Sequence, residues 1–319
     1  MLGPEVIRRR AATLGPLVAL VAAILFFSMQ SDRFLTGANF ALILQQVMVV
    51  GVLAIGQTLV ILTAGIDLAC GMVMGLGGIV MTLLATSGGI HPLLAIGIGL
   101  LVTTGVGMVN GLLVTRLALP PFIVTLGTMN ITFALTQILS TAQTVTNLPP
   151  ALTWLGTTVP LGGTNVAFGA ILLLVLYAKA WWMLGQSAAG RHLYAVGGHV
   201  EAARLSGIDT RRLLLAVYAL SGLSAGLAAL LSVARTGVGD PQAGQTENLD
   251  TVTAVVLGGT SLFGGRGVIL GSLVGALIVG VFRNGLTLMG VSSVWQLLVT
   301  GILVILAVTA DQWTRRGAQ

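Results

Sequence analysis

Charge is scarce in this sequence. Asp, Glu, Lys and Arg make up 8% of its 319 residues, where a soluble globular chain carries roughly 25%. That is too little polar material to cover a water-facing surface, and 55% hydrophobic residues with a mean hydropathy of +1.00 exclude a soluble domain. There is one lysine, Lys179, in the setting Leu-Tyr-Ala-Lys-Ala-Trp. A P-loop needs Gly-Lys-Ser/Thr after a glycine-rich turn, so ATP hydrolysis by that route is excluded. The single cysteine, Cys70, excludes an internal disulfide and a cysteine-rich metal site; it reads as a small packing residue. His91, His192 and His199 form no ligand pair on one helix face and read as loop residues near lipid headgroups. No nucleophile elbow is present. Neither a metal site nor an enzyme is expected. Of the acids, only Asp67 falls in a largely apolar region, and no basic residue is mid-span. Ion-coupled carriers keep carboxylates inside the membrane as ion or proton sites, so their scarcity argues against ion coupling. It suits a neutral polar solute driven from elsewhere.

What the chain does have is a series of apolar runs of bilayer length, about 17–25 residues each. They fall at 14–29, 40–63, 71–85, 92–114, 122–140, 166–184, 213–234, 251–263, 268–282 and 294–310. The expected fold is an all-α polytopic membrane protein of about ten transmembrane helices with cytoplasmic N and C termini. Residues 1–13 and 313–319 are cytoplasmic tails, and 14–312 is one transmembrane domain. With that placement twelve of the fifteen basic residues lie inside, leaving Arg33, Arg235 and Arg283 outside, as the positive-inside rule requires. The net charge of +6 therefore marks topology, not nucleic-acid binding. No cleavable signal is visible, and the first span reads as a retained anchor. The run at 251–263 is short for a crossing and reads as full or re-entrant. Residues 141–165 form a polar, Pro- and Gly-rich outer loop, and Trp181-Trp182 mark an inner interface. The spacing Gly65…Gly71 echoes Gly259…Gly265, which reads either as a trace of duplication or as chance in a chain with 44 glycines.

The longest charged segment, 186–212, is cytoplasmic. Within it 200–205 reads as a short helix with Glu201 and Arg204 on one face, ended by Gly-Ile-Asp. It reads as a docking element or as an ordinary positive-inside loop. Asp67 reads as the cap of the next helix or as an acid near an inner gate. The polar span residues Gln57, Thr58, Asn110, Thr125, Asn130, Gln137, Asn284 and Gln296 suit a hydroxyl-rich solute or helix-to-helix hydrogen bonds. The outer acids Asp240, Glu247 and Asp250 read as docking or as solvated charges.

The stretch GRHLYAVGGHVEAARLSGID (190–209) resembles the ATPase-contacting loop of the permease subunits of ribose/xylose/arabinose-type ABC sugar importers. AIGQTLVILTAGIDL (54–68), LDTVTAVVLGGTSLFGGRG (249–267) and VSSVWQ (291–296) are similar to further blocks of that family, in the same order, over about 40–312. The chain departs from it at Ala69-Cys70, where relatives carry Ser-Val, and at Arg283-Asn284, where they carry an asparagine pair. The first departure leans toward fructose- or ribose-type members. The resemblance implies a permease that moves a monosaccharide inward across the bacterial inner membrane. It implies a second copy of the chain, a cytoplasmic ABC ATPase that carries ATP and Mg, and a periplasmic sugar-binding protein, with no cofactor on this chain. Gly190, Arg191, Glu201, Ala202, Arg204 and Gly207 match the coupling loop; from the residues alone Gly65, Gly71, Gly259 and Gly265 are candidate bends, and Asp67 a candidate gate acid or helix cap. A permease for branched-chain amino acids or nucleosides, an ion-coupled carrier and a non-transport scaffold are the rival expectations.

Overall fold

A computed structural model describes the backbone of residues 4–161 and 164–316, and side chains over 15–160, 164–306, 308–309 and 312. In chain order the elements are α1 (Pro4–Gln30), α2 (Gly37–Leu62), α3 (Cys70–Ala85), α4 (Pro92–Arg116), α5 (Pro121–Ser140), the turn α6 (Pro150–Thr153), β1 (Thr158–Leu161) and β2 (Thr164–Ala167). There follow α7 (Phe168–Gln186), α8 (Ala188–Gly198), α9 (Val200–Leu205), α10 (Thr210–Thr236), α11 (Glu247–Leu257), α12 (Ile269–Leu288) and α13 (Ser293–Arg316). The short hairpin β1–β2 pairs antiparallel, with Thr158 opposite Ala167. It lies in the segment expected as an irregular outer loop.

Among the described residues six helices are long and apolar enough to cross a bilayer: α2, α4, α5, α7, α10 and α12. Three shorter apolar stretches, Gly15–Gln30, Cys70–Ala85 and Ser293–Leu306, accompany them. The expected eighth span is an 11-residue helix, α11. At 1.5 Å per residue that covers about 16 Å, half a bilayer core. The basic stretch expected as a tail continues helix α1 from Pro4. Of the expected tail 313–319, the backbone of 313–316 continues α13 and 317–319 lie outside the described residues.

Two groups of four helices share one plan. A long helix (α2 or α10) is followed by a returning segment (63–69 or 237–246), a short helix (α3 or α11) and two further helices. The long helices pack on each other, α10 packs on α4 and α3, and α2 packs on α12 and α11. They run antiparallel, since Gly56 abuts Ser221 and Ser224 of α10 while Gly65, further along the chain, abuts the earlier Tyr218. The unit that recurs is thus the helix order. The Gly65…Gly71 and Gly259…Gly265 spacing is not part of it, because the first precedes a short helix and the second follows one.

Small residues set the crossings. Gly107 on α4 faces Gly222 on α10, and a methyl at either would lie 3.1 Å from the other's Cα. Thr103 and Gly226 continue the same seam one turn on. This is the small-xxx-small packing that brings membrane helices into backbone contact. α2 is the centre, with 67% of its most apolar stretch buried, whereas α4 and α5 bury 22% and turn apolar faces outward.

Polar side chains cap the starts of the helices. Thr36 accepts from Asn39 N–H at the start of α2, Ser187 from Gly190 N–H at α8, and Asp209 from Arg212 N–H at α10. His91 and His199 accept from Leu93 N–H and Ala202 N–H at α4 and α9, so two of the three histidines act as caps.

Candidate functional site

The two short helices begin against each other. Residues 239–244 descend along α3: Gly239 lies against Thr82, Gly75 against the Ala243 carbonyl, and Gly71 against the Gly244 carbonyl. Gly71 is about 21 Å below the end of α3 at 1.5 Å per residue, so α11 starts deep in the bundle. Buried Asn248, in the first turn of α11, accepts from Gly71 N–H at 2.6 Å and from Cys70 Sγ at 3.6 Å. Its amide hydrogen reaches Met129 Sδ at 3.5 Å. Gly71 has no room for a side chain because backbone occupies the space. The family departure at Ala69-Cys70 therefore sits where the two short helices meet, and Cys70 is a packed core residue, 2% exposed.

Asp67 lies in the returning segment before α3. Its Oδ1 accepts from Ala69 N–H at 2.9 Å, and its Oδ2 accepts from the Ser221 hydroxyl at 2.8 Å. The helix begins at Cys70 with Ala69 as its cap residue, and Ala69 makes no side-chain cap bond. Asp67, read as the cap, lies two residues before the cap position and ties the segment ahead of the helix to α10. Gly65 is buried beneath Tyr218, whose Oη would lie 2.9 Å from a methyl there. Thr125 of α5 donates to Ile66 O at 3.1 Å. The structure thus brings Gly65, Asp67, Gly71 and Thr125 into one neighbourhood. Tyr218, Ser221 and Asn248 complete it; sequence reading missed them because their partners lie far away in the chain.

The other polar span residues scatter. Gln57 is fully buried, and neither atom of its amide has a hydrogen-bond partner. Thr58 bonds Ala54 O and Ser272 Oγ. Asn110 accepts from Thr128 at 2.6 Å, joining α4 to α5. Asn130 is exposed on α5 and donates to Leu126 O. Gln137 donates to Pro241 O, and Gln296 to Thr287 Oγ1 and Val291 O. Asn284 and Asn39 exchange two bonds of 2.9 and 2.8 Å, so the Asn284 amide is held by α2.

Asp250 and Arg283 are not loop charges. Asp250 is buried in α11 and meets Arg283 of α12 at 3.1 Å. A carboxylate removed from water needs such a partner. On the same side Arg235, Asp240, Gln242, Gln245 and Glu247 rim a cleft of about 250 Å³ over α3.

The segment 186–212 is two helices, not a loop with one. α8 was missed. α9 falls at the expected residues, with Glu201 and Arg204 paired at 3.2 Å and both 65% exposed. Gly207, φ +86°, turns the chain after α9, and Ile208 N–H returns to Ala203 O. Gly190 is buried against the end of α7, while Arg191 and Ala202 are exposed. Leu205, 84% exposed, projects beside the ion pair. Burial pushes the Tyr194 phenol of α8 above its ordinary range, so it remains a donor, and it bonds Gly267 O at 2.8 Å. Gly259 and Gly265 are left-handed, φ +84° and +69°. No group of acids, histidines and cysteines among the described residues is arranged to hold a metal ion.

The family described as the permease component of the branched-chain amino acid transport system matches residues 39–308. The chain belongs to that family. It is 43% identical over 309 residues to the fructose import permease protein of Rhizobium meliloti, covering 95% of this chain and 86% of that protein. It is 39% identical over 312 residues to the ribose import permease protein of Bacillus subtilis, covering 94% and 92%. To the ribose import permease protein of Escherichia coli K12 it is 39% identical over 299 residues, covering 92% of each. No solved structure matches it. Family membership and six apolar spans make the chain a multi-pass permease of the inner membrane.

Proposed function

We propose that this chain is the membrane-spanning permease of an ATP-driven importer. It moves a monosaccharide of the fructose or ribose kind from a periplasmic binding protein into the cytoplasm. The observation that supports this most is the 43% identity with a fructose import permease over 95% of the chain. In this reading the chain crosses ten times, α11 with its glycine-rich tail making the eighth crossing, and both termini are cytoplasmic. A second copy covers the apolar outward faces of α4 and α5.

A separate ATPase, which carries ATP and Mg, docks on α8 and α9. Exposed Glu201, Arg204 and Leu205 suit a partner that combines charge with an apolar pocket. Gly190, Arg191, Ala202 and Gly207 shape that surface. Gln57, an unpartnered buried amide, is the best supported of the solute-path residues. Asp67, Gly65 and Gly71 hold the bend between α2 and α3, and Gly259 and Gly265 the bend after α11. The cleft rimmed by Asp240 and Glu247 faces the binding protein. The description of the family favours branched-chain amino acids as the second reading.

The test is uptake of labelled fructose, ribose and leucine into vesicles that hold the chain with its cognate ATPase and binding protein. ATP-dependent uptake of fructose or ribose is expected. Leucine uptake alone favours the second reading. Uptake that persists without the ATPase contradicts both.

A further inference from the structure

Three segments meet at the α8 end of the bundle: the last turn of α2, the C-terminal end of α8 and the glycine-rich connection from α11 to α12. Leu62 closes α2, and Gly265 N–H donates to its carbonyl at 2.9 Å. Gly197 of α8 is buried on this bond. A methyl there would overlap the Leu62 carbonyl oxygen and lie 2.6 Å from the Gly265 nitrogen. Gly264, φ +82°, is packed from the other side: a methyl on it would lie 2.7 Å from Gly197 O and 2.8 Å from Ala64 N. Gly264 and Gly265 hold left-handed backbone that glycine adopts without penalty. Tyr194, three residues before Gly197, donates its hydroxyl to Gly267 O at 2.8 Å. α8 therefore grips the connection at two points, one through backbone and one through a side chain.

The physical consequence is a contact with little slack. Where side chains separate two elements, rotamer changes absorb small displacements; where backbone rests on backbone, a shift of one element displaces the other. Left-handed glycines next to the contact can absorb the φ/ψ change, as hinge positions do. The other two parties lead to the short helices. Leu62 is followed by the returning segment that starts α3, and 264–267 joins α11 to α12.

We propose that Tyr194 and Gly197 are positioning residues of transport, which clamp α8 to the end of α2 and to the connection 264–267. Displacement of the cytoplasmic loop then reaches both short helices at once. This rests on the assignment of 186–212 as the ATPase-coupling segment.

The experiment uses the chain with its cognate ATPase and binding protein in vesicles, as wild type and as Tyr194→Phe, Gly197→Ala and Gly301→Ala. Labelled fructose uptake, ATP hydrolysis and the unfolding midpoint are measured on the same preparations. Tyr194→Phe is expected to keep the midpoint and ATP hydrolysis while fructose moved per ATP falls about tenfold, the factor of one lost hydrogen bond of ordinary strength. Gly197→Ala lowers that ratio further. Gly301→Ala on α13, whose methyl meets open space away from α8 and α9, matches wild type. If Gly197→Ala does not fold, Tyr194→Phe decides alone. An unchanged ratio in Tyr194→Phe overturns the clamp, and so does a parallel fall of uptake, hydrolysis and midpoint, which marks a structural role only. A wild type with no ATP-dependent uptake overturns the coupling assignment itself, an outcome visible before any variant is compared.

Discussion

At the scale of single residues, Asp67 is the acid with the most buried obligations: it accepts from Ala69 N–H and from the Ser221 hydroxyl. Its removal leaves two buried donors unmet, each worth about 1–3 kcal/mol when orphaned. Asp67→Ala is therefore expected to lower the unfolding midpoint in detergent clearly more than Asp67→Asn, whose amide oxygen still accepts one bond. Equal midpoints for the two variants would contradict this assignment. The sequence exposed Asp67 because an acid in an apolar run stands out. Ser221, 154 residues away, carries no such mark, since a serine in an apolar helix is as compatible with back-bonding to its own helix as with a distant partner. Asn284 shows the opposite case: the sequence left it open between a solute contact and a helix-to-helix bond, and it is one half of a reciprocal amide pair with Asn39.

At the scale of elements, hydropathy located the long helices because a crossing helix must be apolar over its whole length. It was blind to two things. α8 carries polar residues and follows α7 after one residue, so it merged into a charged loop. The apolar run 251–263 is part helix, the end of α11, and part glycine connection, so hydropathy set the helix too late in the chain. The glycines were counted but not placed, because only the partner helix decides which of them is a contact. Gly107 and Gly105 show the difference on one helix. A methyl at Gly107 would overlap the Tyr218 carbonyl, whereas at Gly105 nothing lies within 4 Å. Gly107→Ala is expected to cost about 1–3 kcal/mol through overpacking and to reduce the folded fraction recovered in detergent. Gly105→Ala is expected to leave that fraction unchanged or to raise it slightly, as Gly-to-Ala changes inside helices do. Similar losses for both would contradict the α4–α10 seam.

At the scale of the whole molecule, the chain divides into a bundle built from two antiparallel groups of helices and a small amphipathic platform, α8 and α9, outside it. The bundle has apolar faces turned outward and few charges. The platform has exposed charge, an exposed Leu205 and two firm contacts to the bundle at Gly197 and Tyr194. That division is the architecture expected of a permease moved by another chain. An exposed i,i+3 ion pair such as Glu201–Arg204 adds only about 0–1 kcal/mol to the fold, whereas a charge lost from a docked interface costs about 2–5 kcal/mol. The pair can thus be removed without unfolding the chain, which makes it the cleanest handle on the central claim. The decisive measurement is ATP-dependent fructose uptake by the full complex, wild type against Glu201→Ala/Arg204→Ala, with folding of the complex checked by its unfolding midpoint. Uptake that collapses in the double variant while the midpoint holds is the predicted result. Uptake at the wild-type rate would contradict the assignment of α9 as the element through which ATP drives this permease.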